Sequence, residues 1–110
     1  MKNKNINNLK TQDFIGTWVV KSVLGEYKKQ LRVFSNLDYK YYPDTTKEEE
    51  TFTGKASYNF KDDGKNEGEL ILENYGELII SSLDDDRNSF WAYDKKKSHH
   101  YIKVSQSIFI

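Results

Sequence analysis

The clearest alternation of apolar and polar residues runs through residues 51–60. Phe52, Tyr58 and Phe60 share one face with the small residues Gly54 and Ala56, while the other face is polar. Successive side chains of a strand point to opposite sides, so this pattern predicts a β-strand with one buried face. The two small residues either leave space inside the fold or admit a close neighbour.

Weaker alternation predicts further short strands on both sides of this segment. The full predicted set is 17–24, 27–35, 51–60, 68–75, 76–83, 89–94 and 99–110. Turn signals separate them, among them Asp63-Gly64, Gly76 and the runs 84–88 and 95–98. Seven to eight short strands joined by hairpin-like turns are typical of an all-β, antiparallel up-and-down barrel.

The N-terminal region has a different character. Residues 1–8 are rich in Lys and Asn and are expected to be a disordered tail, which leaves 9–110 as a single β-barrel domain. The spacing of Leu9, Phe14 and Ile15 predicts a short N-terminal helix. Gly16 then ends this helix and lets the chain enter the first strand.

Residues 36–50 form the longest candidate loop. Tyr39, Tyr41 and Tyr42 stand just before Pro43, the single proline, and a charged run follows. Proline ends a strand or confines it to an edge, and loops on rigid scaffolds often hold binding sites. Tyrosine is also favoured at protein interfaces, so these three tyrosines are a candidate protein-binding surface.

Composition narrows the class of protein. Seventeen basic and seventeen acidic side chains cancel, so no overall field favours nucleic acid or an anionic membrane. The chain has no cysteine, which removes disulfides and thiolate metal sites. It has no apolar run of about 20 residues that would span a bilayer and no apolar N-terminal segment typical of a secretion signal, so a cytoplasmic location is expected.

Residues 14–18, Phe-Ile-Gly-Thr-Trp, resemble the start of the first strand in the calycin superfamily, and the match is nearest to small bacterial lipocalin-like domains. Residues 58–64, a strand followed by an Asp-Gly turn, are a second similarity. The resemblance implies an up-and-down barrel whose tryptophan, here Trp18, packs across the closed end. It also implies an arginine near the last strand over that ring, where this chain offers Lys103.

No residue set carries a catalytic or metal-binding signature. His99 and His100 are the only histidines, and in a strand they project to opposite faces. The acidic runs at 62–63 and 84–86 lack the spacing of a calcium loop and are explained as turns. We therefore expect no enzyme activity, no metal and no cofactor.

Two functions remain open. The first is a non-enzymatic lipocalin-like protein that binds a small hydrophobic or aromatic ligand in the open end of the barrel, lined by Tyr58, Trp91 and Tyr93 with Arg32 as a charged contact. The alternative is a protein-binding inhibitor or immunity-type module of bacterial or phage origin, which acts through its surface. Nucleic acid is disfavoured as a partner, because the lysine runs have turn and surface explanations.

Overall fold

Eight antiparallel strands close into one barrel in a computed structural model that describes residues 8–61, 64, 66–84, 88–94 and 97–105. Each strand pairs with the next along the chain, and the last pairs with the first. The strands are β1 (Gly16–Lys21), β2 (Tyr27–Val33), β3 (Asp38–Tyr42), β4 (Phe52–Lys61), β5 (Glu67–Leu72), β6 (Gly76–Leu83), β7 (Ser89–Asp94) and β8 (Lys97–Ser105). The predicted all-β, up-and-down barrel is confirmed.

Two predicted elements differ from the structure. The predicted N-terminal helix is only a single 3₁₀ turn, Thr11–Phe14, and the described residues contain no α-helix. The predicted loop 36–50 contains a whole strand, β3, followed by a second 3₁₀ turn, Glu48–Glu50. β3 alternates like the other strands and ends just before Pro43, so the proline limits the strand without preventing it.

The predicted strand limits hold only in part: β5 ends at Leu72 instead of at 75, and β8 begins at Lys97 instead of at 99. β6 and β7 have the predicted limits, whereas β1 stops at Lys21. The Ser22 hydroxyl accepts hydrogen bonds from the N–H groups of Leu24 and Glu26, which turns the chain before Val23 can extend the strand. Residues 1–7 of the predicted tail, residues 62–63, 65, 85–87 and 95–96 of the predicted turns, and the predicted strand end 106–110 lie outside the described residues.

Large side chains fill the barrel interior. Those that are less than 2% exposed are Trp18, Tyr39, Tyr41, Tyr101, Phe14, Phe90, Leu31, Leu70, Leu72, Leu78 and Ile80. These side chains leave almost no accessible surface inside the barrel. An eight-stranded barrel is just wide enough to be filled in this way.

Two glycines on the inner face make room for neighbouring groups. A Cβ atom on Gly68 would lie 1.9 Å from the hydroxyl oxygen of Tyr58, so the tyrosine ring occupies that position. A Cβ atom on Gly54 would lie 2.9 Å from the carbonyl oxygen of Glu73. The space expected beside Gly54 therefore admits a close neighbour instead of enlarging a cavity.

One end of the barrel is closed by the segment that precedes β1. The indole N–H of Trp18 donates to the carbonyl oxygen of Phe14 at 2.9 Å, and the backbone N–H of Tyr58 donates to the hydroxyl of Thr11 at 2.9 Å. The Trp18 and Phe90 rings are 4.7 Å apart. These contacts hold the 3₁₀ turn over this end of the barrel as a lid. A binding site is therefore expected at the opposite end.

Candidate functional site

The open end of the barrel holds a hydrogen-bonded group of polar side chains, which we call the mouth cluster: Tyr41, Tyr75, Asp94 and Tyr101. Tyr41 on β3 and Tyr101 on β8 join their hydroxyl oxygens at 2.8 Å. Tyr75, in the turn between β5 and β6, donates its hydroxyl proton to a carboxylate oxygen of Asp94 at the end of β7. The cluster thus connects residues from four separate parts of the chain.

Aromatic packing holds Tyr75 in place. Its ring centroid lies 4.9 Å from that of Tyr41 and 5.0 Å from that of Phe52, both in edge-to-face arrangements. Burial raises the pKa of Tyr41, Tyr75 and Tyr101 above the ordinary tyrosine value. The three hydroxyls are therefore neutral near pH 7 and act as hydrogen-bonding groups, not as nucleophiles.

Basic groups also lie at the mouth, and one of them, Lys97, is the register partner of Asp94. Lys29 donates from its Nζ atom to the carbonyl oxygen of Pro43 at 3.1 Å. Burial lowers the pKa of His99, and the positive charges of Lys29 and Lys97 lower it further. His99 pairs with the inward residue Ala92, whereas His100 pairs with the outward residue Trp91, so the predicted opposite orientation of the two histidines is confirmed.

A pocket of about 400 Å³ adjoins the mouth cluster, and we call it the rim pocket. It extends from the outer wall of β6 and β7 to the hydrogen bond between Tyr75 and Asp94. Its volume lies within the range of small-molecule sites. The lining residues are Tyr75, Gly76, Glu77, Ile79, Tyr93 and Asp94.

The walls of the rim pocket combine aromatic rings, one aliphatic side chain and carboxylates. Tyr93 donates its hydroxyl proton to both carboxylate oxygens of Glu67, at 2.9 and 3.0 Å. Glu77 is exposed, and Ile79 is almost buried at 9%. Among the residues that the structure describes, the lining contains two carboxylates, from Glu77 and Asp94, and no lysine or arginine.

A second pocket of about 410 Å³ lies on the outside of β3 and β4. Asp38 and Lys55, two of its lining residues, form an ion pair at 2.7 Å, and the carbonyl and carboxylate of Glu73 accept from Tyr39 and from the Lys55 N–H. Three of its charged residues, Asp38, Lys55 and Glu73, are thus engaged in contacts within the lining. This pocket is less enclosed than the rim pocket and touches the mouth cluster at no residue.

The structure does not bring the four predicted ligand-binding residues together. Tyr58 is buried at the closed end, and Arg32 is exposed on the outer face of β2. Trp91 is also outside, 45% exposed, with its ring stacked on His100 at 4.7 Å. Only Tyr93 lines a pocket, at the rim. The four residues therefore do not line one cavity in the barrel interior.

The three predicted interface tyrosines divide between the two faces of β3. Tyr39 and Tyr41 are each 1% exposed and point into the barrel, whereas Tyr42 is half-buried and faces outward. The physical reason is the pairing of β3 with β2 and β4, which makes this stretch a barrel wall. Tyr39 and Tyr41 are therefore removed from the exposed surface.

Sequence reasoning missed Tyr75, Glu77, Asp94 and Tyr101. Tyr75 and Glu77 flank Gly76 and resemble ordinary turn residues, and Asp94 precedes a lysine run that is typical of a solvated turn. Of these four residues, Tyr101 could have been found from the sequence. Alternation along β8 places it on the same face as His99, which is the face that points into the barrel.

Within the described part of the chain, no group of three His, Cys, Asp or Glu side chains is placed to hold a metal ion. None of the helical segments in the same residues has the length and apolar character needed to cross a bilayer.

Comparisons with protein-family models, with curated proteins and with solved structures find no match to this chain. The similarity of residues 14–18 to lipocalin-like domains therefore stays a prediction. Function has to be inferred from the geometry of the barrel itself.

Proposed function

We propose that this protein is a non-enzymatic binding protein that takes up a small molecule in the rim pocket, at the open end of a lipocalin-like barrel. The observation that carries the proposal is the position of the pocket, since the hydrogen bond between Tyr75 and Asp94 forms its inner wall. A ligand there would contact a polar network that is already in place. Preformed pockets of this kind bind without a large ordering cost.

Because the barrel interior is packed with side chains, a ligand site at the rim is favoured over one in the centre of the barrel. The side chains that fill the barrel are 0–1% exposed, and a ligand among them would have to displace several large rings. The rim pocket needs no such change. Ile79 offers an apolar floor, and the rings of Tyr75 and Tyr93 offer walls.

A fragment screen by NMR on the full chain tests this proposal. We expect small aromatic compounds to shift the backbone amide signals of Tyr75, Gly76, Glu77 and Tyr93. Glu77→Trp should fill the pocket and weaken binding at least about tenfold, because position 77 is exposed and tolerates a large side chain. Glu49→Trp, on the exposed 3₁₀ turn, is the matched control and should bind like the unmodified chain. Shifts confined to other residues, or equal binding by both variants, would refute the proposal.

The alternative, a protein-binding module, is favoured by one observation on the outer wall. The outward positions of β7 and β8 carry no Asp, Glu, Lys or Arg among the described residues. Those positions are Ser89, Trp91, Tyr93, Ser98, His100, Ile102 and Val104. Charged residues are depleted at interface cores, and tryptophan is enriched there.

Trp91 is the residue through which this second function is tested. A partner that binds this face should be lost from affinity capture with Trp91→Glu and retained with Tyr42→Glu, which alters the opposite side of the barrel. A partner retained equally by both variants would place the interface elsewhere.

A further inference from the structure

We infer that the rim pocket selects a small organic cation with a flat apolar body, of the class of arylalkylamines, in which an ammonium group is joined to an aromatic ring through a short alkyl link. This inference rests on the proposed function, because it names the ligand class of the same pocket. It follows from three properties of the lining: the sign of its charges, the state of its hydroxyl groups and its aromatic walls.

The described residues of the lining carry charges of one sign. Glu77 and Asp94 contribute two carboxylates, and Glu67 adds a third just behind Tyr93, to which it is hydrogen-bonded. Among the described basic residues of the mouth, Lys29 binds the Pro43 carbonyl, and Lys97, the exposed register partner of Asp94 on β8, does not line the pocket. Opposite charges attract more strongly beside a low-dielectric wall than in water, so a cation gains and an anion is repelled.

The hydroxyl groups of the lining already donate their protons. Tyr75 donates to Asp94, and Tyr93 donates to Glu67. A carboxylate has about four acceptor positions, so Asp94 can accept a further hydrogen bond after the one from Tyr75. The pocket therefore presents acceptor oxygens to a ligand, and it complements a ligand that supplies donors. An ammonium group supplies up to three.

The aromatic walls favour the same ligand class. Tyr75 and Tyr93 both line the pocket, and the negative face of a tyrosine ring attracts a cation that lies within about 6 Å. Ile79, the register partner of Tyr93, also lines the pocket and supplies apolar contact for a hydrocarbon body. A small inorganic cation would leave that apolar surface uncovered, whereas an arylalkylamine would cover it.

Calorimetric titration of the full chain at pH 7 with benzylamine, benzyl alcohol and benzoate tests the inference. The three probes share one ring and nearly one size, but they are positive, neutral and negative. We expect benzylamine to bind about tenfold more tightly than benzyl alcohol, a difference of about 1.4 kcal/mol. Benzoate should show no measurable binding. The preference for benzylamine should decrease as ionic strength rises, because salt screens the carboxylates.

Two variants separate the effect of charge from the effect of shape. Glu77→Gln removes one lining carboxylate at an exposed position, and we expect it to reduce the preference for benzylamine about threefold or more. Glu49→Gln removes an equivalent charge on the exposed 3₁₀ turn and should leave the preference unchanged. Equal binding of benzylamine and benzyl alcohol, or tightest binding of benzoate, would overturn the cation inference while leaving a small-molecule site at the rim. No binding of any probe, together with an empty fragment screen, would overturn both.

Discussion

The Nζ atom of Lys103 lies 4.9 Å from the centroid of the Trp18 ring. The two residues are register partners on β8 and β1, and Trp18 is fully buried at the closed end of the barrel. The resemblance to lipocalin-like domains implies an arginine over this tryptophan, and Lys103 supplies a cation in its place. A lysine ammonium over an indole ring is a favourable cation–π contact, of the kind that the resemblance leads us to expect from an arginine.

Lys103→Met should lower the free energy of unfolding by about 1 kcal/mol, because it removes the charge and keeps a stem of similar length. Lys103→Arg should keep the stability near that of the unmodified chain. Urea denaturation followed by tryptophan fluorescence measures both. Lys28→Met, at an exposed position of β2, is the control and should change little. Equal midpoints for both methionine variants would show that the contact contributes nothing.

Tyr41→Phe should destabilise the barrel by about 1–2 kcal/mol, because it leaves the buried Tyr101 hydroxyl without the partner at 2.8 Å. In the Tyr41→Phe background, Tyr101→Phe should lower the free energy of unfolding by less than it does in the unmodified chain, since both polar groups are then absent. A double-mutant cycle from chemical denaturation gives this coupling. Tyr42→Phe, on the outward face of β3, should have only a small effect. Strict additivity of the two inner substitutions would contradict the structure.

Gly68→Ala should destabilise the protein by about 1–3 kcal/mol through overpacking. Its new methyl group would meet Tyr58, whose ring lies 5.2 Å from that of Phe14 and has little space to move. In a Tyr58→Leu background the same change should cost much less, because leucine does not reach position 68. Thermal unfolding of the four proteins measures the difference. An equal loss of stability in both backgrounds would show that Tyr58 is not the group that a side chain at position 68 meets.

Stability should fall at alkaline pH. Burial raises the pKa of Tyr58 to about 12, burial and the nearby Glu73 charge raise the pKa of Tyr39 to about 12, and the mouth-cluster tyrosines are shifted in the same direction. In the unfolded chain a tyrosine titrates near pH 10, so the folded state holds these protons more tightly. This contribution is complete below about pH 10 and is lost as pH rises through about 12.

Urea midpoints measured from pH 8 to pH 12, with tyrosinate absorbance at 295 nm, check this expectation. Ionisation of the buried tyrosines should accompany unfolding. A midpoint that stays constant between pH 10 and pH 12 would contradict it.

The sequence by itself determined the class of fold and the inner face of several strands. Alternation over residues 51–60 placed Tyr58 inside and Lys55 outside, and both positions are confirmed. The limits of β6 and β7 followed from glycine and acidic turn signals. These features are local, because the two-residue period of a strand and the chemistry of its turns depend on neighbours along the chain.

Only the tertiary structure decided which side chains meet. Tyr41 and Tyr101 are 60 residues apart, and Tyr75 and Asp94 are 19 apart, yet each pair shares a hydrogen bond at the mouth. Alternation states which face a residue occupies, but it does not state which strand lies beside it or at what register. Closure of β8 onto β1 sets those relations, and with them the filled interior, the burial of the β3 tyrosines and the position of the rim pocket.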